Sequence, residues 1–321
     1  MSRGNQILTA ILVVQLALIA LVFWPRSAGP AGGALLFEGL DTESIVQLTV
    51  YDPVEGQLRL AKVAGEWVLP EADDFACRAG AVSDVLDKVA SLESDRLVAE
   101  TEASHGRLQV AEDNYVRMVV FSEADGTTYT LYLGSAPSYG AIHARVGRED
   151  QVYLVSGLSS ADVPARAAGW IDTAYLTLQQ DQVVDIALAN ANGRFAFARP
   201  DAQGEWAMAG LAADEVLNQG AVNSLLSQVS SVRMMRPLGL EEEPGYGLDD
   251  PAVVVTVRTR DEEGGTAEYR LLVGAQRADE DSYYAKVSTS AYYVTVAAYT
   301  ADGWIARTRE AFLEVPPTPA P

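Results

Sequence analysis

Three side chains have the chemistry of a nucleophile, a general base or a soft metal ligand: Cys77, His105 and His143, the only cysteine and the only two histidines of the 321 residues. A thiol with an imidazole makes a nucleophilic pair only when the two meet at hydrogen-bond distance. Their separation along the chain says nothing about that. A single cysteine excludes an internal disulfide and a cysteine-cage zinc site. The chain has no G-x-S-x-G elbow, no phosphate-cradling G-x-x-x-x-G-K-[ST] and no H-E-x-x-H. "GYGLDD" from Gly245 has too few glycines for a dinucleotide loop and precedes a strand, so it reads as a turn. The acidic runs Glu241–Glu243 and 278–281 lack the alternating ligands and the glycine of a calcium loop and read as solvated. These residues predict no catalytic group, no metal and no cofactor, hence a protein that is not an enzyme.

The elements that would position such residues are written twice. "GEW" occurs at Gly65 and again at Gly204. Further on, "AGAVSDVLDKVASLESDRLV" from Ala79 and "QGAVNSLLSQVSSVRMMRPL" from Gln219 agree at seven of twenty positions, at a constant shift of 140. Both carry apolar residues at i, i+3, i+4 and i+7, the stripe of an amphipathic helix: Val82, Val85, Leu86 and Val89, then Val222, Leu225, Leu226 and Val229. "TYTLYLG" and "EYRLLVG" alternate like strands and end 140 apart, at Gly134 and Gly274. Each follows a glycine turn and an earlier β-rich run, which predicts hairpins. "HARV" matches "YAKV", so His143 faces Tyr284 and Arg145 faces Lys286. "HGRL" laid on "YGLDD" sets His105 against Tyr246, and "GWIDT" from Gly169 matches "GWIAR" from Gly303. A position that accepts His or Tyr wants a ring with a polar tip, which is a structural demand.

The expected fold class is therefore α+β: an N-terminal transmembrane helix, then two duplicated domains, each an antiparallel sheet packed with one main amphipathic helix. The spans are an anchor at 1–24, a flexible stalk at 25–34, repeat domains at 35–178 and 179–314, and a disordered tail at 315–321. The anchor rests on "ILTAILVVQLALIALVFW", Ile7 to Trp24, which holds no charge. Its eighteen residues would rise ~27 Å as a helix, near the ~30 Å hydrocarbon thickness. Its length favours an uncleaved signal-anchor, and Arg3 with the terminal amine predicts a single-pass topology with the N-terminus cytoplasmic and the body extracytoplasmic. The formal charge of −21 argues against nucleic acid as a partner.

The ordered motifs "GEW", "GAV..LL..V", "YGLDDPAVVVTV", "YRLLVG" and "YYAKV" resemble the bacterial domain-of-unknown-function 4340 family, most closely over Asp181 to Glu314 and more loosely over Leu35 to Thr177. The resemblance implies a membrane anchor and an accessory or interaction role beside ABC-type transport components of the gliding-motility auxiliary kind, and it brings no catalytic residues. The expected function is thus a non-enzymatic, membrane-anchored tandem-repeat component of an envelope transport complex. The alternative is a module for cell-wall glycan or peptide, for which exposed rings at Trp67, Trp206, Tyr283 and Tyr284 would be the binding residues.

Overall fold

The computed structural model describes residues 33–94, 96–277 and 280–314. Runs that alternate apolar and polar residues build two antiparallel sheets. The first unit supplies β1 (Ile45–Asp52), β2 (Gly56–Val63), β3 (Glu66–Leu69), β4 (Phe75–Ala76), β5 (Arg96–Ala99), β6 (Arg117–Glu123), β7 (Thr128–Leu133), β8 (Ala141–Val146) and β9 (Val152–Ser156). A connecting strand β10 (Ala174–Thr177) follows. The second unit has β11 (Val183–Asn190), β12 (Gly193–Ala198), β13 (Ala207–Met208), β14 (Ser231–Arg233), β15 (Arg236–Gly239), β16 (Val253–Arg260), β17 (Thr266–Arg277), β18 (Ser282–Val287) and β19 (Tyr293–Ala297).

The strand order of the first sheet is β4, β3, β2, β1, β6, β7, β8, β9, β5, and that of the second is β13, β12, β11, β16, β17, β18, β19, β15. Apart from β4 the two orders are the same. Registers agree as well: Leu48 faces Leu60 as Ile186 faces Phe197, and Leu133 faces Ala144 as Val273 faces Ala285. Two glycines mark the same close approach in both units. A Cβ on Gly134 would lie 2.1 Å from the Leu108 carbonyl oxygen, and one on Gly274 would lie 2.1 Å from that of Tyr246.

Four short helices accompany the sheets among the described residues: α1 (Ala81–Ala90), α2 (His105–Leu108), α3 (Gln219–Val229) and α4 (Ala298–Ile305). The stripes of α1 and α3 are buried: Val82, Val85, Leu86 and Val89, and Val222, Leu225, Leu226 and Val229. Asn218 caps α3, its Oδ1 accepting the Ala221 N–H at 3.0 Å, while α1 starts from left-handed Gly80 (φ 78°) with no side-chain cap.

Two expectations are corrected. The α+β fold class, with one main amphipathic helix layered on each sheet, does not hold. The molecule is predominantly antiparallel sheet, and the helices are short pieces that share the sheet surface with 3-10 turns and loops. The stripe in each unit runs for only ten or eleven residues before the chain returns to strand. The transmembrane expectation finds no support in the described residues either. Ile7–Trp24 lies outside the described residues, and among those no helix is long and apolar enough to cross a membrane. The longest, α3 with 11 residues, would rise only ~16 Å. The single-pass signal-anchor, the cytoplasmic N-terminus with an extracytoplasmic body, and the membrane as a partner through an N-terminal helix therefore lose their support. The tail 315–321 and most of the stalk 25–34 also lie outside the described residues.

The units meet through backbone as well as side chains. β10 pairs antiparallel with β14, which follows α3. The Tyr175 hydroxyl donates to the Tyr292 carbonyl at 2.7 Å and accepts the Val287 N–H at 3.0 Å. Burial pushes the Tyr175 phenol up to about 12, so it stays protonated in this double role.

Candidate functional site

The residues with chemical potential are separated by the sheet. Cys77 continues the β4 edge, its N–H bonded to the Trp67 carbonyl at 2.8 Å. His143 stands on β8, six strand positions away, or roughly 29 Å at ~4.8 Å per strand. Burial pushes the Cys77 thiol up to about 11, which disfavours the thiolate that a nucleophile needs. His105 is buried, with Nε2 at 2.9 Å from the Asp150 carbonyl. The structure does not bring these three together.

One pair is in contact. Ser135 Oγ and His143 Nδ1 lie 3.0 Å apart, the spacing of a hydroxyl and its base. The same Oγ also sits 3.3 Å from the Leu108 carbonyl, and the Ser135 N–H is spent on that carbonyl at 3.0 Å. Burial pulls the His143 imidazole below its ordinary value, and no carboxylate orients it among the described residues. The arrangement ties β8 to α2. No group of three or more His, Cys, Asp or Glu among the described residues could hold a metal ion.

Two residues further along the strand each unit sets a cation over a ring, the ring standing on β7 in the first unit and on β19 in the second. Arg145 on β8 is 3 % exposed, lies 4.2 Å over the Tyr132 ring and donates to the carbonyls of Val110, Gly147 and Glu149. Lys286 on β18 lies 4.0 Å over the Tyr293 ring and donates to the Ala291 carbonyl. A cation over a ring, with carbonyls around it, fastens the turn after each strand.

The four ring candidates occupy separate places. Trp206 is buried, donates from Nε1 to Asn223 on α3 at 3.0 Å, and carries the Arg199 guanidinium 4.6 Å from its ring. Trp67 is half-buried at the margin of the core, opposite Lys62. Tyr283 and Tyr284 are neighbours on one strand and so point to opposite faces. The Tyr283 hydroxyl donates to Asp302 on α4 at 2.8 Å, a bond that raises its pKa. Tyr284 stacks on Tyr246 with centroids 4.4 Å apart. No shared aromatic surface results.

An open surface lies elsewhere. The face of the second sheet turned away from its helices holds a shallow trough of about 430 Å³, with a floor of Ala187, Ala196, Ala198 and Ala207. Its rim carries Arg258, which pairs with Asp185 at 3.2 Å and with Glu268 at 3.6 Å. Register places Thr49, Arg59 and Val120 of the first sheet where the second has Ala187, Ala196 and Thr256. Larger side chains fill the equivalent space there. The sequence does carry a signal for this surface: "IALA" and "FAFA" put alanine at two successive outward positions of each of two adjacent strands.

With this geometry in place, comparison with known proteins gives one positive result. No curated protein and no solved structure matches the chain. A family model described as "Domain of unknown function (DUF4340)" matches residues 67–238 and, overlapping with it, 206–315. These two matches together span more than half of the chain, and the protein belongs to the DUF4340 family.

Proposed function

We propose that the protein is a non-enzymatic interaction component that engages a protein partner through the outer face of its second sheet. The observation that carries this reading is the trough, a floor of alanines with an ion-paired rim on the second sheet. A small-residue floor lets another backbone or an apolar side chain come close, and a charged rim selects its register. The placement of Cys77, His105 and His143 in scaffold contacts adds support, because each is held by burial or by a bond to backbone or hydroxyl. Subunits of ABC-type transporters are the partner class that the family resemblance makes first to test. Glycan or peptide capture by rings has less support, since Trp206 is buried and Tyr284 is stacked within the molecule.

The test is site-specific photo-crosslinking in cells. A crosslinking residue at Ala196 should trap one distinct protein. The same residue at Arg59, the equivalent position of the first sheet, should not. Ala196→Arg should abolish the product trapped from a neighbouring position such as Ala187 while leaving the thermal unfolding of the chain unchanged. Identical products from both sheets, or none from Ala196, would defeat the reading.

A further inference from the structure

The interface between the two units contains the pattern for an interface between copies. On the second unit, the receiving surface is the sheet edge β15. The first unit covers it with the turn between β3 and β4. Asp73, held in the left-handed region at φ 51°, accepts the Leu240 N–H on Oδ2 at 2.7 Å. Its carbonyl accepts the Tyr292 hydroxyl at 3.2 Å, and the Phe75 ring meets the Tyr292 ring edge-on at 4.8 Å. The approach is close enough that a Cβ on Gly239 would lie 2.7 Å from Asp73 Oδ2. Pro237 and Gly239 are buried as a result.

The first sheet ends in the same way. β5 lies on β9 as β15 lies on β19, with the same one-residue shift: Leu97 faces Tyr153 and Ala99 faces Val152, as Pro237 faces Val294 and Gly239 faces Tyr293. Among the described residues nothing covers the outer side of β5, and Leu97 and Val98 are 44 % and 36 % exposed. The covering turn has its counterpart too. In each unit it starts at the Trp of "GEW" and ends at a residue whose N–H bonds a closing aromatic: Arg78 to Trp170, and Asn218 to Phe312. In the second unit this segment covers nothing among the described residues, and its Leu211 and Val216 are 36 % and 57 % exposed. It is braced from behind by Arg309, which donates to Gly210 and pairs with Glu215.

We propose that the turn of the second unit docks on β5 of another copy of the chain, repeating between molecules the contact that joins the units within one. A plug at one end and a socket at the other form a heterologous contact, which extends to a chain of molecules or closes into a ring. Stacked repeats that stop at a single molecule carry polar outer faces at their ends. Here both ends present exposed apolar side chains, Leu97 and Val98 at one and Leu211 and Val216 at the other. The formal charge of −21 opposes the contact, so added salt should strengthen it.

The experiment uses the full chain in mild detergent, which keeps the apolar run Ile7–Trp24 from associating by itself. Two variants in a Cys77→Ser background carry one new thiol each, Val98→Cys and Leu211→Cys, and a short bis-maleimide joins thiols that come close. Mixing them should give a dimer linked between positions 98 and 211, while each variant alone should give at least tenfold less. Adding Leu97→Arg to the Val98→Cys chain should reduce the mixed product at least tenfold, with an unchanged circular dichroism spectrum and melting curve. Linkage of 98 to 98 or of 211 to 211 in place of the mixed product would overturn the arrangement, as would the absence of any dimer across the salt range.

Discussion

β5 and β15 hold the same edge of their sheets, yet Leu97 is exposed and Ala99 half-buried where Pro237 and Gly239 are buried. The local ladder is the same in both, and among the described residues only β15 has a neighbouring turn laid on it. The other edges repeat the lesson: Ala72 in the turn after β3 is 3 % exposed, and Val216 in the corresponding segment is 57 % exposed. A duplicated fold keeps its interior and lets its borders diverge according to what stands beside them.

If the interiors are equivalent, paired substitutions should cost alike. Leu86 and Leu226 hold the same position on α1 and α3 at 1 % and 4 % exposure. Leu86→Ala and Leu226→Ala should each destabilise by about 2–5 kcal/mol through lost burial and the cavity left behind. Denaturant unfolding of both variants would break the equivalence if one of them proved nearly neutral. Next in size are the glycines. Gly134→Ala and Gly274→Ala each set a methyl 2.1 Å from a carbonyl oxygen and should cost about 1–3 kcal/mol, with the two melting temperatures falling together.

The smallest effect separates the units. The Arg309 guanidinium, with the Ala212 N–H, holds the Glu215 carboxyl down to about 2 from its usual 4.5. A lowered carboxyl adds stability above its unfolded value and loses it as pH falls. The segment around Val216 should therefore loosen between about pH 4.5 and pH 2. Hydrogen exchange should show this, and Glu215→Gln should remove the pH dependence. The turn at Asp73 in the first unit is held instead by the Leu240 N–H and the Tyr292 hydroxyl.

The periodic parts of the molecule could be read from the sequence because periodicity is a direct consequence of backbone geometry. Each residue assigned to the stripes of α1 and α3 is buried, and the strands ending at Gly134 and Gly274 pair in the same register. The aperiodic parts misled. Matching "GWI" with "GWI" aligned Trp170 with Trp304, but the N–H of Arg78 reaches the Trp170 carbonyl as that of Asn218 reaches Phe312. The place of Trp170 thus belongs to Phe312, while Trp304 closes α4 and donates to Gln228 at 3.1 Å. Similarly His105 is not the counterpart of Tyr246. Leu108 is, because the carbonyls of Leu108 and Tyr246 press on equivalent glycines, and left-handed Gln109 (φ 57°) follows one as Gly247 (φ 66°) follows the other. Identity of a few letters cannot place a loop whose position is set by one backbone contact. The balance of sheet over helix was hidden for a related reason. Strands of two to four residues, such as β4, β13 and β14, are too short to show alternation.

The ladder between β10 and β14 bears on how the chain is made. Tyr175 and Leu176 are buried in the finished molecule, yet their partner strand Ser231–Arg233 follows them by the whole hairpin and helix of the second unit. A ribosome adding ~5–20 residues per second would leave this apolar strand unpaired for several seconds after the first unit has emerged. During that interval the nascent chain carries a free strand next to a completed sheet. Its capture by the second unit, and not by a neighbouring nascent chain, is then decided by the pace of translation.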